Sequence, residues 1–174
     1  MRNAFALSFA TLLAACGWSE KREPLATADS VNLQRFAGDW YVLASIPTAL
    51  EADAYNAVET YAVPDGNRIE TTFRFRKGGF DGPEREYSPT AFVSDDSAAV
   101  WGMQFVWPIR AEYRIAYLDP DYQFTIIGRT KRDYVWVMAR QPHVSDAVYA
   151  SLRERVAQMG YDTAALRRVP HEEK

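Results

Sequence analysis

Few side chains in this chain are equipped for chemistry. It has one cysteine, Cys16, and two histidines, His143 and His171, which lie far apart and outside the alternating apolar segments. No Cys/His set has metal-ligand spacing, and a lone cysteine cannot close an internal disulfide. The nearest approach to paired carboxylates is Asp119 and Asp121, but the Pro120 between them marks a turn. A zinc enzyme, a disulfide scaffold and a Ser-His-Asp hydrolase are all poor fits. Twenty basic and 23 acidic residues give a net charge of −3, which leaves no basic field for nucleic acid. The 174 residues, 48% hydrophobic and 25% charged, suit one domain whose core holds without metals or disulfides, and no cofactor is expected.

Cys16 has a different use. Arg2 precedes a short run of mostly apolar residues, Ala4 to Leu13, too brief for the roughly 20 residues of a membrane-spanning helix. A basic flank, a short apolar run and small residues behind it read as an export signal. Leu13-Ala14-Ala15-Cys16 resembles the lipobox of bacterial lipoproteins. That resemblance implies cleavage of a signal peptide over residues 1–15, a diacylglycerol on the Cys16 thiol and acylation of the new amine. Two or three acyl chains, at ~0.8 kcal/mol per buried methylene, anchor stably where one chain is marginal. Gly17 at the next position, rather than Asp, favours the outer membrane in the sorting pattern of such lipoproteins. The alternative is a buried core cysteine. Residues 16–30 are then the lipidated cysteine and a polar tether, at most about 45 Å long when extended. Residues 31–174 form the domain.

The elements of that domain alternate with period two from residue 38. Strands are expected over 38–46, 55–63, 69–76, 85–93, 98–106, 111–118, 122–128 and 134–140. Ile69, Thr71, Phe73 and Phe75 share one face; so do Tyr113, Ile115 and Tyr117, and Tyr122, Phe124 and Ile126. Glu59 muddles the second strand, and Pro89 in the fourth fits an edge or a bulge. Short turns rich in Pro, Asp and Gly make sequential strands antiparallel neighbours. Eight can close into an up-and-down barrel, which removes exposed edges and leaves room for one small ligand. The period then changes. Val144, Val148, Leu152, Val156 and Met159 lie on one helical face, Ser145 can cap the start and Gly160 the end, and the stripe must bury against the barrel's outer wall. Leu166 to Val169 can add a short strand.

Three motifs give this all-β pattern a family resemblance. Gly38-Asp39-Trp40 opens the first strand, Asp119-Pro120-Asp121-Tyr122 forms the turn between strands six and seven, and Arg140 ends strand eight. In this order and spacing, with the lipobox before and the helix after, the chain resembles a lipocalin, specifically a lipid-anchored bacterial one, over residues from about 36 to 169. Pro120 departs from the usual second motif. The resemblance implies an eight-stranded antiparallel up-and-down barrel with one C-terminal helix outside. In an up-and-down barrel all three motifs fall at one end, which the family closes with its Trp–Arg contact. For Trp40 and Arg140 the alternatives are an ordinary core aromatic and a surface charge.

Strand phase, with the family register, turns Phe73, Phe75, Trp101, Met103, Phe105, Tyr113, Ile115, Phe124, Trp136 and Met138 inward as candidate ligand contacts. The same ten side chains could instead fill the barrel. At the opposite rim Leu50, Phe80, Trp107 and Ile109 mix with Lys77, Arg110, Arg129, Lys131 and Arg132, which suits an acyl tail inside and an anionic group at the mouth; solvated surface charge is the other reading. The leading expectation is a membrane-anchored, non-enzymatic binder of a fatty acid, lysophospholipid or similar amphiphile, for lipid storage, transport or envelope maintenance. It is expected at the bacterial outer membrane, on the periplasmic face. A lipocalin-fold enzyme and a filled-barrel, partner-binding lipoprotein are the alternatives. Ligand identity and oligomeric state do not follow from the sequence.

Overall fold

The computed structural model describes residues 22–65 and 67–173. The expected signal peptide over residues 1–15 and Cys16 lie outside the described residues. A short helix α1 (Leu33–Phe36) leads into β1 (Gly38–Ile46), β2 (Ala54–Asp65), β3 (Arg68–Lys77), β4 (Glu84–Tyr87), β5 (Thr90–Ser94), β6 (Ser97–Val106), β7 (Ile109–Leu118), β8 (Phe124–Gly128) and β9 (Val135–Ala139). Helix α2 (Asp146–Gln158) and the two-residue β10 (Arg167–Arg168) follow. Among the described residues all pairings are antiparallel, mostly between sequential strands, and β1 pairs with β9 to close the barrel. The expected fourth strand is two pieces, because Pro89 cannot donate to the ladder: β4 pairs the β3 half near the open end and β5 the half near the closed end. β10 pairs Ala44 and Ser45 of β1, on the same edge whose first half holds β2.

Two apolar clusters explain the apolar faces. One fills the barrel, from Phe36, Trp40 and Tyr61 through Trp101 and Ile115 to Met138. The other lies outside, where Leu152 and Val156 of α2 pack on Ile126, Val135, Val137 and Ala139. β9 is therefore apolar on both faces, since one lines the barrel and the other receives the helix. Ser145 caps α2 by accepting from the Val148 N–H at 3.3 Å, Asp146 sits in the positive first turn, and Gly160 takes φ +85°.

Two expectations are corrected here. Phe124 does not face the interior. The β7–β8 register shifts between Ile115 and Tyr117, so Tyr117, Phe124 and Ile126 turn to the helix side while Thr125 and Ile127 turn inward. The second correction concerns the tether, which is docked from residue 22 onward. Leu25 is only 2% exposed, its carbonyl accepts from Arg114 Nε at 2.7 Å, and the Ala28 N–H donates to the Ile115 carbonyl at 2.9 Å. That carbonyl sits at the bulge. Gly128 is glycine for the same reason, as a Cβ there would lie 2.7 Å from Leu25 and 2.3 Å from the Tyr161 hydroxyl.

Candidate ligand-binding site

At the closed end, the three motif segments converge. Arg140 lays its guanidinium 3.9 Å from the Trp40 ring centroid. It also donates to the carbonyls of Arg35, Phe36, Ala37, Asp39 and Tyr122 at 2.7–3.3 Å. Gly38 takes φ +93°, and a Cβ there would stand 3.5 Å from an Arg140 nitrogen, so the strand entry requires glycine. Asp119 accepts backbone N–H groups of its own turn, including Gln123 at 2.6 Å, which gives it a structural use. Tyr122 accepts the Asn32 N–H at 2.9 Å and lies under Arg35. Helix α1, which no sequence period announced, supplies Phe36 as the plug's underside: its ring is 5.0 Å from Trp40, 5.2 Å from Tyr61 and 5.5 Å from Trp101.

The aromatic column continues upward. Trp101 stacks on Tyr113 at 5.3 Å and 6°, and Tyr113 stands 6.3 Å from Trp136. Above Trp101 the packing stops, leaving a cavity of about 150 Å³ that opens at the other end of the barrel. Of the ten expected contacts, Phe73, Met103, Phe105, Tyr113 and Trp136 line it. Trp101, Ile115 and Met138 are solid core beneath it, Phe75 is core in the β3 half near the open end, and Phe124 lies outside the barrel. Phe105 sits at the mouth and is 58% exposed, since β6 runs past the barrel rim there.

Two carboxyls within the cavity wall were not anticipated. Glu59 and Glu51 are each 7% exposed. Glu59 points inward on the same face of β2 as Ala57 and Tyr61, and hydrogen-bonds to Tyr61 and Tyr113, whose hydroxyls also bond to each other. Burial lifts its pKa to about 8, opposed by the Tyr61 hydrogen bond and reinforced by the nearby Glu51. Burial, with the adjacent Glu59, also raises both tyrosines well above their ordinary values. Glu51 accepts the Thr48 N–H at 2.9 Å and the Trp136 indole N–H at 3.1 Å. The signal was present in the sequence: Glu59 was the residue that spoiled the alternation of its strand.

The basic rim is largely committed. Arg129 lines the cavity but pairs with Asp133 at 3.1 Å, and Lys131 pairs with the same carboxylate at 3.4 Å. Arg132 donates to the carbonyls of Glu23, Thr130 and Met159, and Arg110 lies flat over Phe92 at 3.6 Å. Glu112, also at the mouth, is partly buried, yet hydrogen bonds from Thr130 and Arg114 hold its carboxyl below the ordinary value. Beside the exposed Lys77, Arg110 and Lys131, the rim exposes large apolar side chains: Leu50, Phe105, Val106, Ile109 and Trp107, the last 82% exposed. Among the described residues no cluster of His, Cys, Asp or Glu is arranged to hold a metal.

A closed antiparallel barrel, plugged by an arginine over a tryptophan at one end and hollow at the other, with one helix outside, is the architecture of lipocalins. The chain belongs to that family: the family model described as Lipocalin-like domain matches residues 31–171. It is 29% identical to temperature-induced lipocalin-1 of Arabidopsis thaliana over 161 residues, covering 87% of this chain and 85% of the relative. It is 24% identical to the outer membrane lipoprotein Blc of Citrobacter freundii over 166 residues, covering 92% and 91%. Lobster apocrustacyanin A1 shares the fold with a TM-score of 0.64 at 11% identity, over 86% of this chain and 92% of that one.

Proposed function

We propose that the protein binds small hydrophobic or amphiphilic molecules in the barrel cavity, without turning them over, while held at a bacterial outer membrane by lipid on Cys16. The observation that carries the binding reading is the hollow above Trp101, walled by Phe73, Met103, Tyr113 and Trp136. Burying apolar ligand surface there is worth roughly 25 cal/mol per Å², offset by the cost of ordering. Pockets that enclose drug-sized ligands run to ~300–1,000 Å³. A cavity of about 150 Å³ therefore takes a compact group or one segment of a fatty acid or lysophospholipid, with the remainder lying over Phe105 and Leu50.

The chain path supports the membrane reading. Arg22, the first described residue, donates to the Lys131 carbonyl at 2.7 Å, in the β8–β9 loop at the open end. Six residue steps lead back from it to Cys16, at most about 20 Å. An anchor there turns the mouth, with its exposed Trp107 and Ile109, towards the lipid surface. Similarity to outer membrane lipoproteins points the same way. The test is titration of lipid-stripped protein with lysophospholipids and fatty acids of graded chain length, read by tryptophan emission. Saturable binding near 1:1 is expected, and its absence across the whole series overturns the reading.

A further inference from the structure

The cavity's polarity runs opposite to that of a site built for a tail-first lipid. Its wall carries Glu59, bonded to Tyr61 and Tyr113, with Glu51 of the β1–β2 loop nearby, while Leu50 and Phe105 stand at its mouth beside Glu112 and Arg129, which are held by Thr130, Arg114 and Asp133. The Glu51 carboxyl lies close enough to Glu59 to raise the proton affinity of Glu59, with rings on several sides. The basic side chain that also lines the cavity, Arg129, is paired with Asp133. A cation beside a carboxylate and against aromatic faces gains from both, the more so where water is scarce.

We propose that the cavity receives a compact protonated amine, its nitrogen between the carboxyls of Glu59 and Glu51 and against the rings of Tyr113 and Trp136, its apolar remainder towards Leu50 and Phe105. This rests on reading the cavity as the ligand site, and it names the chemical class taken there. The exchange balances as a proton release. An ammonium ion enters beside the neutral Glu59 carboxyl, the carboxyl gives its proton to solvent, and the ion pair remains. The groups facing Glu59 are Tyr61 of its own strand, Tyr113 of β7 and Glu51 of the β1–β2 loop. Both tyrosines stay protonated through neutral pH, so Glu59 is the group that titrates with binding.

The experiment compares octylammonium, octan-1-ol and octanoate on the full-length protein, by tryptophan emission and by calorimetry in two buffers of different ionisation enthalpy. Octylammonium is expected to bind at least about tenfold tighter than octanol at pH 7, to release about one proton, and to tighten by up to about tenfold per pH unit between pH 5.5 and 7.5. Glu59→Gln brings the amine down to the alcohol's affinity, and Glu51→Gln reduces the preference in part. Equal or tighter binding of octanol or octanoate overturns the proposal, as does amine binding without proton release. The wild-type comparison decides this even if Glu59→Gln folds poorly. Should lysophospholipid bind and octylammonium not, the amine class alone falls; should nothing bind, the cavity reading falls with it.

Discussion

Arg140 serves five carbonyls and one indole ring at once, so it is a structural cation. Truncation removes the cation–π contact and strips hydrogen-bond donors from a half-buried turn. Arg140→Ala is expected to cost about 1–3 kcal/mol in denaturant unfolding, with Arg140→Lys recovering only part of it because an ammonium cannot span the fork. An unchanged midpoint would falsify the plug. Glu59 makes the opposite kind of prediction. Its folded pKa of about 8 lies above the ordinary carboxylate value of 4.5, so the folded state holds a proton that the unfolded chain gives up. The stability it contributes is complete below about pH 4.5 and is lost as pH rises through 8, with a difference of up to about 5 kcal/mol. Glu59→Gln is expected to flatten that decline, measured as Tm from pH 5 to 8. A mutant that declines as steeply as the parent shows that the carboxyl is ionised throughout.

Elements divide the apolar residues between two destinations, and mutations should follow that division. Phe124 and Leu152 belong to the layer between barrel and helix. Leu152→Ala is expected to cost about 2–4 kcal/mol, and Phe124→Ala a comparable amount, with ligand affinity little changed in either. Trp136→Ala is expected to alter affinity or the preferred chain length directly, because its ring is cavity wall. If Phe124→Ala weakened binding as much as Trp136→Ala, the outward assignment of β8 would be untenable. The β7–β8 bulge is what separates the two classes, and the docked segment around Leu25 and Ala28 occupies the groups it leaves unpaired.

The whole molecule has a polarity that none of its parts has. The plug, α1 and the three motifs occupy one end; the cavity, the exposed apolar rim and the start of the described chain occupy the other. The proposed lipid on Cys16 would therefore tether the open end. Cys16→Ala is expected to move the protein out of the membrane fraction and to abolish incorporation of labelled palmitate; label retained on the variant would exclude this thiol as the anchor point. With the anchor intact, shortening the segment between residues 16 and 22 should leave cavity affinity for soluble probes unchanged, measured by emission, since the described cavity wall is drawn from residues between Thr48 and Trp136.

The sequence alone determined the elements with strong local signatures. Period-two alternation, turn chemistry at Asp119-Pro120-Asp121, the stripe from Val144 to Met159 and its Ser145 cap are properties of neighbours in the chain, and they placed the strands and the helix. Motif spacing carried the closed end, because topology forces Trp40, Tyr122 and Arg140 to one rim once the strands alternate. Tertiary structure decided which apolar face is which. An amphipathic strand reports that one side is dry, not whether the dryness is the barrel interior or the groove under α2, and a single bulge sent Phe124 to the second. It also decided how much of the interior is filled. Five of the ten candidates became cavity wall, four became core and one left the barrel; for Trp101, Ile115 and Met138 height along the axis and the position of Phe36 from the unforeseen α1 decided it. The meaning of Glu59 was settled the same way. In one dimension it interrupts a pattern; in three it meets Tyr61, Tyr113 and Glu51 where water is scarce, and only that meeting makes it a neutral acid in a ligand cavity.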